Sequence, residues 1–64
     1  MINKEEAITI AKNSMPQPIS DFQIENTKLI DNVWCIGLRN VKNGKGFEVE
    51  IDADTGKIIG GGGG

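Results

Sequence analysis

A chain of 64 residues with nine acidic and seven basic side chains, a formal charge of −2, one cysteine and no histidine has few routes to stability or to chemistry. A domain of about 60 residues buries only about 60% of its unfolded surface, so the core must be tight. Cys35 alone allows no internal disulfide, and without histidine nothing has the spacing of a zinc site. The acidic balance and scattered Lys and Arg argue against a nucleic-acid partner. No apolar run nears the ~20 residues that span a bilayer, and the N-terminus lacks the basic-then-apolar pattern of a secretory leader. The chain as written is expected to be soluble, with a cell-envelope or secreted setting if it is part of a longer parent. Its stability must come from a well-packed core or from dimerisation.

The first element is a helix. Asn3 is a good N-cap, Glu6 stands three residues on to close a capping box, and Glu5 and Glu6 suit the positive end of the helix dipole. Ala7, Ile8, Ala11 and Met15 fall on one face, Ile2 can staple against Ala7, and Ile10 sits off that stripe. Pro16 and Pro18 stop the helix close to Ser14.

Residues 19–30 are expected to form a strand at a sheet edge or with a bulge, since Phe22 and Ile24 alternate while Glu25, Asn26, Thr27 and Lys28 are polar on either face. Asp31-Asn32 supplies a turn, because both tolerate a left-handed backbone. Residues 33–41 read as a strand with Trp34, Ile36 and Leu38 on one face and Val33, Cys35, Gly37 and Arg39 on the other. Asn43-Gly44 predicts a tight hairpin with both residues at positive φ. Phe47, Val49, Ile51 and Ala53 then alternate with Glu48, Glu50, Asp52 and Asp54, which is the pattern of a half-buried strand. Asp54-Thr55-Gly56 reverses the chain, and residues 57–59 pair back. Residues 60–64 are all glycine and carry the highest ordering entropy, so a flexible tail is expected after residues 1–59.

These elements make an α+β fold, an N-terminal helix packed on a three- to four-stranded antiparallel sheet in two layers. The helix should cover Trp34, Ile36, Leu38, Phe47, Val49 and Ile51, leaving Glu48, Glu50, Asp52 and Arg39 toward water. Two sheet edges remain, so a homodimer through an edge strand or the open face is a candidate assembly.

No catalytic, cofactor-binding or metal-binding residue is assigned. Cys35 has no base or cation at fixed spacing to make it a nucleophile, and reads as a small, partly buried hydrophobe or an interface position. Alternate strand residues lie about 6.6 Å apart, so Glu48, Glu50, Asp52 and Asp54 form a row of charges rather than a cage for calcium; Asp52 and Asp54 are expected to bond to their own turn. Trp34 is in phase with the core rather than an exposed anchor. Gly44-Lys45-Gly46 precedes no helix and is a turn, not a phosphate loop.

Lys4-Glu5-Glu6-Ala7-Ile8 with Ile10-Ala11, the central Val33-Trp34, and the string from Phe47 through Asp52-Ala53-Asp54-Thr55-Gly56-Lys57-Ile58-Ile59 together resemble the PepSY domain family. The last string is the most specific part. The resemblance implies a cystatin-like helix on an antiparallel sheet, no catalytic activity and no cofactor. It also implies a protein partner, a peptidase among the candidates, since such domains occur in propeptides of secreted metallopeptidases and in bacterial envelope proteins. Residues 25–28 form a polar segment beyond the family pattern. Small NTF2-like immunity proteins are similar at the tryptophan strand and the Thr-Gly-Lys turn, which would imply binding to a toxin or to a second copy.

Overall fold

The computed structural model describes residues 1–63. Helix α1, Lys4–Asn13, is followed by a 3-10 turn, Ile19–Asp21, and by strands β1 Phe22–Ile30, β2 Val33–Asn40, β3 Gly46–Asp52 and β4 Ile58–Gly63. The strands form one four-stranded sheet in the order β1-β2-β3-β4, every neighbour antiparallel. This is the expected two-layer α+β arrangement, with four strands.

The helix starts where its cap dictates. The Asn3 side chain accepts from the Glu6 N–H at 2.8 Å, and the Glu6 carboxylate accepts from the Asn3 N–H at 2.9 Å, closing the capping box. At the other end the Ser14 hydroxyl donates to the Ala11 carbonyl at 2.7 Å, just before the prolines. Ala7 and Ala11 are fully buried on the sheet, and their small side chains let the helix lie close to it. Ile10 widens the apolar stripe and packs toward Gly56.

One face of the sheet receives α1. Across it run the rows Ile24–Leu38–Phe47, Thr27–Ile36–Val49 and Leu29–Trp34–Ile51–Ile58. Ile36, Leu38 and Ile51 are the largest fully buried side chains, each contributing about 1.5–3 kcal/mol by leaving water. Phe22 closes the core at the β1 end, edge-to-face with Phe47 at 5.7 Å between ring centroids.

Strand β1 explains its own ambiguity. Its apolar residues sit at even positions, Phe22 and Ile24, and then its inward residues sit at odd ones, Thr27 and Leu29. A one-residue slip would turn every later side chain to the wrong face. The register shifts between Ile24 and Asn26, so Glu25 bulges out and absorbs the change of phase. The expected edge position and bulge are both present.

Two expectations need correction. Asn43-Gly44 does not form a two-residue primed turn, because only Gly44 has positive φ there, at 76°. The Asn40 side chain captures the Lys42 and Asn43 N–H groups at 2.9 and 3.3 Å, which winds the loop into a longer right-handed turn closed by Gly44 N–H to the Asn40 carbonyl at 2.8 Å. The two-residue left-handed pair occurs instead at Asp31 and Asn32, φ 49° and 63°. The last strand also runs beyond Ile59 through residues 60–63, pairing Gly60 with Glu50 and Gly63 with Phe47. Glycine backbones can meet the hydrogen-bonding groups along β3 without side chains to place.

The β2–β3 and β3–β4 connections are the same turn. Asn40-Val41-Lys42-Asn43-Gly44-Lys45 and Asp52-Ala53-Asp54-Thr55-Gly56-Lys57 share the glycine and the lysine and carry an amide or a carboxylate, Asn40 or Asp52, at the capping position. In the second, Asp52 Oδ1 accepts from Asp54 and Thr55 N–H at 2.8 and 3.2 Å, Gly56 N–H donates to the Asp52 carbonyl at 2.8 Å, and Gly56 also has φ 76°.

Candidate protein-binding face

The sheet face away from α1 is built by the same alternation that fills the core. Its rows are Asn26–Gly37–Glu48–Gly62, Lys28–Cys35–Glu50–Gly60 and Ile30–Val33–Asp52. Glycines open this surface. The Asn26 amide lies over Gly37, where a Cβ would collide with it, and the Glu50 carboxylate lies over Gly60 in the same way. Beside them, Phe47, Glu48, Glu50 and the glycines at 61–63 help line an open depression of about 480 Å³.

Polar anchors hold one end of the face. Arg39 Nε donates to Glu25 Oε2 at 2.8 Å, and its Nη1 donates to the Gly44 carbonyl at 2.6 Å, so one guanidinium ties the β1 bulge to the β2–β3 turn. The hydrogen bond from Arg39 holds the Glu25 carboxyl below its ordinary pKa, against an opposing loss of hydration and with a lesser pull from the Arg39 charge. Glu48 and Glu50 have no ion-pair partner among the described residues. Their side of the face therefore presents uncompensated negative charge.

Cys35 is half-buried in the middle row. Loss of hydration pushes its thiol pKa up, and the charges of Glu50 and Glu48 push it further, against a weaker opposing pull from Lys28. Such a thiol stays protonated at neutral pH, the reverse of what a nucleophile needs. Trp34 is half-buried on the helix side, with Nε1 donating to the Ile2 carbonyl at 3.2 Å. Asp52 caps its own turn as expected, whereas the Asp54 carboxylate accepts from Asn32 Nδ2 at 2.6 Å and ties two turns together. Gly44-Lys45-Gly46 leads into β3 and lies in a hairpin. No group of three or more His, Cys, Asp or Glu among the described residues could hold a metal ion.

The structure brings Glu48, Glu50 and Arg39 onto one face as the alternation predicts. It adds Glu25, Asn26 and the glycine strand. The signal for Glu25 and Asn26 was the phase change from Ile24 to Thr27. The glycines gave none, since their sequence carries no periodicity.

Fold and face define the class, a helix-on-sheet module with one face packed and the other bare. The chain matches the family described as PepSY, peptidase propeptide and YPEB domain, over residues 1–61, and it belongs to that family. Membership implies a module of the peptidase-propeptide, regulatory or binding kind. No curated protein and no solved structure matches the chain. Among the described residues no helix is long and apolar enough to cross a membrane.

Proposed function

We propose that this chain is a noncatalytic protein-binding module that regulates a peptidase through the bare face of its sheet. One observation carries the reading: α1 covers a single face, while the other sets Glu48 and Glu50 beside an open depression without charge partners. Family membership supports the peptidase as partner. A partner with a basic surface would find its complement there, and charge complementarity of this kind speeds encounter and selects among partners.

The test is inhibition. The purified chain is titrated into the peptidases secreted by its own organism while casein hydrolysis is followed, alongside a Glu48→Gln/Glu50→Gln double variant. Saturable inhibition, weakened several-fold in the variant and at high salt, is the expected result. Unchanged hydrolysis together with no complex in sedimentation would overturn the proposal.

A further inference from the structure

We propose that the open edge of β4 accepts an extended segment of a separate protein, with lysine or arginine on one side of that segment and apolar residues on the other. The proposal rests on the protein-binding reading and specifies where and how the partner docks.

The two edges of the sheet are unlike. Strand β1 has its bulge at Glu25 and a lysine at position 28, both of which discourage pairing with another strand. Strand β4 has one irregularity near Ile59, and then residues 60–63 without a charge, a proline or any side chain. An edge of this kind offers its outward N–H and C=O groups to a further strand, which supplies affinity through the main chain and specificity through alternate side chains.

The outer side selects for cations. A strand added to β4 lies about 4.8 Å beyond it and about 9.6 Å from β3. Ordinary side chains on β4 would fill that interval, but here they are absent. The Glu50 carboxylate already reaches over Gly60 toward the edge, and a Cβ at Gly62, paired with Glu48, would meet nothing within 4 Å. The long stem of lysine or arginine fits along this glycine corridor, with its charge delivered to Glu50 or Glu48. The inner side selects for apolar residues. Ile58 is 49% exposed opposite Ile51, and the Phe47 ring lies over Gly63. α1 packs chiefly on β1 and β2 and less on β3, so it leaves this margin open. A second copy of the chain is a poor occupant. Its β4 carries no cation, and antiparallel pairing of two glycine edges brings one Glu50 toward the other in molecules that each carry −2.

A peptide alternating lysine and valine over the length of β4 tests this by amide chemical-shift mapping on the isotope-labelled chain. Shifts confined to residues 58–63, Phe47, Glu48 and Glu50 are expected. Glu50→Gln should weaken binding several-fold, and a peptide alternating glutamate and valine should not bind. Gly62→Lys places a cation over the corridor within the chain and should abolish binding while the melting temperature holds, whereas Gly62→Ala should retain it. Shifts at β1 or α1, equal binding of the glutamate peptide, or self-association through β4 would overturn the proposal. The two readings fail separately. Peptidase inhibition that survives Gly62→Lys removes the edge site and leaves the regulator reading intact, while absence of inhibition by the unaltered chain counts against the regulator whatever the peptide does.

Discussion

The β2–β3 and β3–β4 turns share their capping geometry, through Asn40 in one and Asp52 in the other, their glycine at φ 76° and their following lysine, yet one is a surface loop and the other a structural hub. At the second position Val41 is 55% exposed and Ala53 is fully buried. Both N–H groups extend the ladder, Val41 to the Asp21 carbonyl at 2.9 Å and Ala53 to the Asn32 carbonyl at 3.0 Å. Only the second turn lies under the N-terminal segment, where the Ile2 N–H donates to the Ala53 carbonyl at 2.7 Å and Ile2 and Ile10 flank Gly56. The first is held from outside, by Arg39 on the Gly44 carbonyl. Local chemistry builds the turn, and its surroundings decide what the turn does. The Asp-Ala-Asp-Thr-Gly-Lys string in the family pattern is the packed copy, so part of its work is to hold the helix onto the sheet.

The largest expected difference lies at the second position. Ala53→Leu should cost about 1–3 kcal/mol by overpacking, while Val41→Ala should stay within about 0.5 kcal/mol, as urea denaturation midpoints would show. Equal losses would break the distinction between the turns. Next come the glycines. Gly44→Ala and Gly56→Ala should each cost about 1–2 kcal/mol, because both force a Cβ into a left-handed backbone. The added methyl at 56 would stand 3.6 Å from Ile10 Cδ1 and Ile2 Cγ2, an ordinary contact, so the two losses should agree. A markedly greater loss at 56 would give packing the larger share.

A smaller effect is expected at the caps. Asn40→Ala and Asp52→Ala each remove an acceptor serving two N–H groups and should cost about 1 kcal/mol. Asp52→Asn should be nearly silent in thermal melts, because Asn40 performs the same role with an amide. The smallest effect separates the outer clamp from the inner one. Glu25 has a lowered pKa when folded, so its contribution with Arg39 is complete above the ordinary carboxylate value and is lost as pH falls through the lowered one. Arg39→Gln should raise the Glu25 titration midpoint toward that ordinary value and speed amide exchange at Gly44, leaving Gly56 unchanged. Faster exchange at both glycines would mean the turns are coupled.

Much of the fold was legible because its signals are local. The capping box spans Asn3 to Glu6, the core alternation spans Trp34 to Leu38 and Phe47 to Ile51, and each is carried by neighbouring residues. The likeness of the two turns was present in the sequence but concealed by Asn43-Gly44, whose preference for a primed turn was overridden by the Asn40 cap. The candidate face was legible at Glu48, Glu50 and Arg39. Its glycine edge was not, since residues without side chains leave no pattern and their pairing depends on what β3 offers.

By itself the sequence determined the helix and its cap, the inward and outward sides of β2 and β3, a polar break in β1 that left an edge position or a bulge open, and the turn chemistry at Asp52. Hydrogen bonds within a few residues and the period of each element suffice for these. Only the tertiary structure decided which turn is buried beneath Ile2 and Ile10, that Arg39 clamps the other, and that β4 forms an edge where the Glu50 carboxylate of β3 lies over bare backbone. Those outcomes depend on where distant parts of the chain meet, and packing settles them after local preferences are satisfied.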